Sequence, residues 1–445
     1  MSRTTHAPPW LALGGYAATR LIGLAALFTV AAATGKDGLH RLMGRWDAVW
    51  YARIAEHGYG YQVTLPRGDV HADLAFFPLF PALERAVSAA LPVDAATAGL
   101  LVSWAASLAA AWGIYEVGAR VAGERAGVVL AVLWGVYPTA FVQSMAYTET
   151  LFTALAAWSI LAVLRGRWIL AGALCVLAGL TRPTAAALIA AIGITALVTV
   201  VREIRAARAD VAIRTARADV TARTPRADVT ARTARTARAD ATAPAGVGPG
   251  AEPAPEPGPA PEPGPAPEPG PAPEPGPAPE PGLARRLGPV IVGALLAPLG
   301  WLAYIVYVGV RQGSATAYFD VQAAWGNSID GGVALARFIA GLPWPAALGL
   351  CAALALLGWL LALCVRQRQP LPLLVYTGAV VAVSLVGAAY FGSRPRLMMP
   401  AFGLLLPPAV ALTRLRPRTA VPVLVVLAVG SGVYGAFTLL GSGPP

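Results

Sequence analysis

Apolar stretches long enough to form membrane-crossing helices recur along most of this chain, and they constrain its fold more than any motif does. Residues 99–117 and 184–201 are almost free of charge, 11–33 is interrupted once by Arg20, and 168–180 is a shorter run of the same kind. A helix needs ~20 residues to cross a hydrocarbon core, and inside that core its backbone polar groups must be satisfied within the segment. Composition agrees, with 56% hydrophobic and only 13% charged residues. The expected fold is therefore an all-α polytopic membrane protein.

Eleven spans are expected, at 11–33, 98–118, 126–142, 148–164, 168–181, 184–201, 289–310, 346–365, 371–391, 397–413 and 419–440. The fifth is short, and the segment 76–91 suits a re-entrant or interfacial helix. The first run is longer than a signal-peptide core and carries Arg20, so it reads as an uncleaved span. Cys175, Cys351 and Cys364 all lie in apolar segments and read as small hydrophobes, with no disulfide framework.

The net charge of +11 comes mostly from arginines in short connections and in one polar segment. With the N-terminus cytoplasmic, the inside connections carry Arg120/Arg125, Arg165/Arg167, the 202–288 segment, Arg366/Arg368 and Arg414/Arg416/Arg418. This alternation follows the positive-inside rule at every connection, so the charge reports topology and no nucleic-acid partner is expected. Residues 34–97 then form an external loop, and 312–338 and 391–399 also lie outside.

The chain divides into an N-terminal membrane half (1–201), a low-complexity segment (202–288) and a C-terminal membrane half (289–445). The middle segment opens with a repeat of about nine residues, Arg-Ala-Asp starting at Arg208, Arg217 and Arg226 and again, out of step, at Arg238. A six-residue Pro-Glu-Pro-Gly-Pro-Ala repeat follows from Pro253 to Gly282. Proline recurs there too often for helix or sheet and almost nothing apolar is available to bury, so a disordered cytoplasmic linker is expected. The arginine block suits a transient helix or anionic lipid headgroups.

The external loop holds the densest set of polar groups. On a helix, Trp46, Asp47, Trp50, Tyr51, Ile54 and His57 fall on one side, with Arg45, Arg53 and Glu56 opposite. A carboxylate among aromatic rings costs free energy unless something compensates it. Asp47 either caps a helix or pairs with an arginine, or it is a reactive acid lining a cleft. His40, His57 and His71 share the loop with several acids, but no pair has the i, i+4 ligand spacing and no cysteine joins them, so no metal is expected.

Ionisable residues at span ends are the next signal. Arg20, Glu149 and Arg182 are costly there unless paired, snorkelling or facing an aqueous cavity, and all three are placed to reach one outer cavity. Glu149 also suits a helix N-terminus. Arg394 and Arg396 break the charge rule by lying outside, the proline between them is expected to hold the backbone extended, and guanidiniums suit a lipid phosphate at this depth.

The motif Arg45-Trp46-Asp47-x-x-Trp50-Tyr51-x-x-Ile54-Ala55-x-x-Gly58-Tyr59, followed by Phe76-Phe77-Pro78-Leu79-Phe80-Pro81, resembles the first luminal loop of PIG-V-type GPI mannosyltransferases and their bacterial relatives. Ala146-Tyr147-Thr148-Glu149-Thr150-Leu151-Phe152 resembles a second stretch of that family, usually written with Tyr-Ser-Glu. Thr181-Arg182-Pro183-Thr184 and Arg394-Pro395-Arg396-Leu397 resemble shorter ones. The likeness covers both membrane halves and skips 202–288. That insertion and the alanine- and arginine-rich composition differ from eukaryotic members and point away from a GPI acceptor.

The resemblance implies a GT-C-like helical bundle and a polyprenyl-phosphate sugar as donor. It implies a mannosyltransferase that delivers to an envelope lipid or glycan at the outer face of the cell membrane, without a cofactor and with inversion. Asp47 occupies the position of the base. Arg394 and Arg396, with Arg182, would stabilise the departing phosphate. Trp46, Trp50, Tyr51 and Tyr59 would offer flat surfaces, while Glu149 and Asp73 would bind sugar hydroxyls or orient the base. Arg45, His57, Phe77 and Tyr147 complete the expected substrate-binding set. A lipid or solute transporter, or an inactive subunit of an envelope assembly, are the other classes the residues allow.

Overall fold

The computed structural model describes residues 8–66, 68–223, 283–388 and 391–441. Within these residues the chain is helical apart from one short hairpin. The N-terminal half contains α1 (Pro9–Ala33), α2 (Gly38–Met43), α3 (Asp47–His57), α4 (Leu79–Ala90), α5 (Ala95–Ala122), α6 (Glu124–Gly135), α7 (Thr148–Leu164), α8 (Trp168–Gly179) and α9 (Ala185–Arg223). The C-terminal half contains α10 (Leu283–Leu296), α11 (Leu299–Gln312), α12 (Ala317–Ala324), α13 (Val333–Ala340), α14 (Trp344–Arg366), α15 (Leu371–Val386), α16 (Arg394–Met398), α17 (Leu406–Thr413) and α18 (Pro417–Leu440).

Six helices among the described residues are long and apolar enough to cross a membrane: Pro9–Ala33, Ala95–Ala122, Ala185–Ala216, Leu283–Gln312, Trp344–Arg366 and Pro417–Leu440. A seventh span arises if Phe391–Met398 and Phe402–Thr413, which meet at 75°, count as one. Thr148–Leu164, Trp168–Gly179 and Leu371–Val386 are apolar but shorter. An all-α membrane protein is the architecture; eleven full-length spans are more than these helices supply by length.

Small residues let the helices approach closely, which is the main packing device where lipid removes the hydrophobic drive between helices. α5 packs against both α6 and α7, and α1 packs along α18. A Cβ added at Gly118 of α5 would lie 2.8 Å from the Gly127 Cα of α6, and one at Gly432 of α18 would lie 3.1 Å from the Gly23 Cα of α1. Arg20 serves this packing. It is buried and donates to the carbonyls of Gly135 and Ala140 where α6 ends, so it neither snorkels nor joins Glu149 and Arg182.

α9 runs as one helix from the apolar stretch into the first part of the arginine repeat, as far as Arg223. The Pro-Glu-Pro-Gly block lies outside the described residues. The chain divides into one unit formed by 1–200 and 287–445 and a second formed by 201–286. Everything described below lies in the first.

Between α3 and α4 lies a two-stranded antiparallel hairpin, β1 (Gln62–Thr64) and β2 (Val70–Ala72), with Val63 opposite His71. Asp73 holds its base: Oδ2 accepts the N–H groups of Gly60 and Tyr61, each at 2.8 Å. Gly58 ends α3 at a φ of 76°, a conformation that glycine adopts without strain.

Candidate functional site

Asp47 is the first residue of α3, and its placement starts with an unusual neighbour. Trp46 adopts a φ of 52° and ψ of −124°, a conformation that costs a non-glycine residue of order 1–3 kcal/mol. The Arg45 guanidinium lies over the Trp46 ring at 4.0 Å. The Asp47 N–H donates to the Tyr147 hydroxyl at 3.2 Å. Tyr147 is fixed in turn, because Ser103 of α5 donates from Oγ to its carbonyl at 2.7 Å and accepts its N–H at 3.1 Å.

Four charged side chains from four separated segments converge here. Arg396 Nη1 lies 2.9 Å from Asp47 Oδ2, and its Nε lies 3.3 Å from Glu149 Oε1. Arg182 Nη1 lies 2.7 Å from the same Glu149 oxygen and donates to Thr148 Oγ1 at 2.9 Å. Thr148 Oγ1 also meets the Tyr51 hydroxyl at 3.2 Å. Two carboxylates and two guanidiniums compensate one another in a setting where single charges are costly. The contacts are graded in depth: the Glu149 side chain is 1% exposed, whereas that of Asp47 is 26% exposed. Neither Glu149 oxygen receives an aligned hydrogen bond among the described residues, so these are ion pairs with unused accepting capacity.

Two phenols frame the network. Burial, with the Asp47 carboxylate adding, pushes the Tyr51 and Tyr147 hydroxyls well above the ordinary phenol range. Both therefore stay neutral. The Tyr147 ring lies 5.2 Å from the Arg396 guanidinium, a cation–π contact.

Arg394 is not part of this network. Its guanidinium donates to the carbonyls of Ser384, Leu385 and Gly387, closing the C-terminal end of α15. The expected extended backbone around Pro395 is also corrected, since residues 394–398 are helical with proline in the first turn. Proline's fixed φ suits that turn and its missing N–H leaves no helical bond unmade. Arg394 and Arg396 point to different partners because two helical steps turn the side chain by about 200°, to nearly opposite faces.

His57 is corrected as well: it lies exposed at the C-terminal end of α3, 3.8 Å from Glu56, rather than on the aromatic face. Asp73 and Arg45 serve backbone carbonyl and amide groups, Asp73 in the hairpin and Arg45 on the carbonyls of Leu439 and Gly441, both at 2.8 Å. Among the described residues no group of three metal-ligating side chains gathers.

Trp50, Tyr51, Tyr59 and Phe77 build an aromatic wall beside the charges. Trp50 stacks on Phe76 at 5.6 Å and meets Trp325 edge-on at 5.0 Å, while Tyr51 meets Phe76 and Phe80. Tyr59 and Phe77 pack on Tyr304 of α11, whose hydroxyl donates to the Phe76 carbonyl at 2.6 Å. Ser103, Tyr304 and Trp325 escape a sequence reading, while Thr148 enters it only as part of a motif. The one usable signal is Trp325, an aromatic residue in the segment 312–338 expected to lie outside. No protein-family model, curated protein or solved structure matches this chain.

Proposed function

We propose that this protein is a membrane glycosyltransferase that moves a mannose from a polyprenyl-phosphate donor to a hydroxyl of an envelope lipid or glycan. The observation that carries the reading is the convergence of Asp47, Glu149, Arg182 and Arg396 on one network beside an aromatic wall. In the reaction the acceptor oxygen bonds to the anomeric carbon as the bond from that carbon to the phosphate oxygen breaks. The acceptor's proton passes to Asp47, the only carboxylate of the network with appreciable exposure. The displaced polyprenyl phosphate carries the negative charge, and the Arg396 guanidinium stabilises it by its charge and a charge-assisted hydrogen bond. Glu149, buried behind Arg396 and Arg182, orients the two guanidiniums and through Arg396 the base. Mannose, the lipid donor and inversion rest on the PIG-V resemblance.

In this reading the eleven apolar segments cross the cell membrane, the shorter ones where the bilayer is locally thinned. The N-terminus and 202–288 are cytoplasmic and the network opens to the outer face, consistent with arginines in the inside connections.

The 75° break between Phe391–Met398 and Phe402–Thr413 favours a second reading, a lipid or solute transporter. Discontinuous helices with charged groups near them are the usual transporter binding elements. One experiment separates the two. Membranes containing the wild type should transfer labelled mannose from polyprenyl phosphomannose to an envelope extract, and folded Asp47→Asn should lose about 10²–10⁴-fold. Full transfer by that variant rejects Asp47 as the base; lipid movement without sugar transfer establishes the transporter.

A further inference from the structure

The external loop is tied to the far end of the chain at a point that bears on Asp47. α18 carries no basic residue in its last turn, yet the carbonyls that end a helix attract cations. Two residues from outside the helix fill that role. Lys36 Nζ donates to the Leu440 carbonyl at 2.7 Å, and Arg45 Nη1 donates to those of Leu439 and Gly441 at 2.8 Å each. Lys36 caps and does no more among the contacts described. Arg45, by contrast, continues into the site, because its guanidinium also lies 4.0 Å over the Trp46 ring.

Trp46 is where the two observations meet. Its backbone sits at a φ of 52°, and of the non-glycine residues described only Arg368 shares this sign. The conformation turns the chain sharply out of the preceding segment, so that Asp47 becomes the first residue of α3 and its N–H reaches Tyr147. Strain of this kind persists only where surrounding contacts over-determine it. The Trp46 ring packs against the hydrophobic core on one side and carries the Arg45 guanidinium over its face, and what holds Arg45 is the carbonyl end of the last helix.

We propose that Arg45 is a positioning residue for Asp47, and that the C-terminal end of α18 is the anchor against which it works. The inference rests on Asp47 being the base of the proposed transfer reaction. Arg45 touches no reacting atom: it pins the Trp46 ring, the ring keeps the strained backbone turned, and the turn aims the carboxylate towards Arg396. This gives Arg45 a use distinct from the substrate contact that its sequence motif implies. It also explains why an arginine is needed, since a planar guanidinium donates to two carbonyls and stacks on a ring at once.

The test uses purified full-length protein, with labelled mannose transfer from polyprenyl phosphomannose to an envelope extract as the assay. Misplacing a catalytic group by about 1 Å costs roughly 100-fold. Arg45→Ala is therefore expected to lower kcat by about 10–100-fold, with KM for the donor within about two-fold of wild type. Trp46→Gly supplies the second arm, because glycine adopts the turned backbone without a clamp. In the Trp46→Gly background, Arg45→Ala is expected to cost less than about three-fold in kcat, whatever Trp46→Gly itself costs. A role in folding alone would leave kcat per folded molecule unchanged, and an effect independent of the Trp46 turn would cost the same in both backgrounds; either result overturns the inference. A rise in KM at constant kcat would also overturn it, in favour of a substrate contact. If Asp47→Asn transfers normally, or wild type transfers nothing, the base reading fails first and the inference falls with it. If Asp47→Asn is inactive while Arg45→Ala keeps its kcat, only the inference fails.

Discussion

Arg396 reaches Asp47 with one nitrogen and Glu149 with another, at 2.9 and 3.3 Å, and so joins a partly exposed acid to a fully buried one. The residues come from the start of α3, the start of α7 and α16, so the contact closes the N-terminal and C-terminal halves on each other. Arg182 holds the deep acid from a fourth segment. A network of this kind makes each member's loss dependent on the others.

The Glu149–Arg182 pair should therefore be strongly coupled. Arg182→Met leaves a buried carboxylate with Arg396 alone, and the expected loss of stability is about 3–5 kcal/mol. Glu149→Gln combined with Arg182→Met should cost clearly less than the two single losses added together. Thermal denaturation of the four proteins in one detergent measures this, and simple additivity would contradict a shared ion pair.

Arg394 and Arg396 should separate by phenotype although they stand two residues apart. Arg394 closes the carbonyl end of α15, so Arg394→Ala should reduce stability by about 1–3 kcal/mol and leave KM for the donor near wild type. Arg396→Gln should lower kcat by about 10²-fold or more, with Arg396→Lys intermediate, because lysine lacks the fork that meets two groups. Steady-state transfer kinetics check both; a matching loss for the two arginines would mean that they act as one phosphate pair.

Glu84 of α4 should give the protein an alkaline weakness. It lies fully buried against Gly99 of α5, outside the long apolar helices, with neither carboxyl oxygen partnered among the described residues. Burial, with Glu56 adding, pushes its carboxyl up from 4.5 to about 9. Between those values the folded state holds a proton that the unfolded chain releases, so stability falls as pH rises through that window and levels off above it. Glu84→Gln cannot ionise and should flatten this slope, gaining a few kcal/mol over wild type near pH 9. Melting curves from pH 5 to 9 decide it, and parallel pH profiles would show that Glu84 is not the group responsible.

Glycine substitutions should separate helix contacts from lipid-facing surface. A Cβ at Gly118 would press on the backbone of Gly127, so Gly118→Ala should cost about 1–3 kcal/mol by forcing α5 and α6 apart. A Cβ at Gly358 of α14 meets nothing within 4 Å, so Gly358→Ala should be neutral or stabilise by about 0.5–1 kcal/mol through helix propensity. Thermal stability of the two variants tests the packing directly.

Much of the fold is legible because the membrane imposes a one-dimensional rule. Hydropathy alone marks 11–33, 98–118, 346–365 and 419–440, which match α1, α5, α14 and α18 closely. It marks 371–391 and 397–413 less well, because α15 stops at Val386 and the second segment is broken at 75°. Lengths and breaks depend on what each helix packs against, and hydropathy averages over that. The first part of the arginine block, which suits a helix because alanine and arginine are both good helix formers, continues the helix of the preceding span to Arg223.

What the sequence determined by itself is the class of protein and the ionisable residues that burial makes expensive. Asp47, Glu149, Arg182 and Arg396 are conspicuous because a charge near an apolar segment needs a partner, and that demand is a property of composition. Which partner each one takes is a tertiary matter. Arg20, Arg394 and Arg45 raise the same demand and satisfy it with backbone carbonyls at helix ends, while Arg182 and Arg396 satisfy it with carboxylates. A guanidinium accepts either solution, so only the approach of one helix end to another decides between a cap and a charged site.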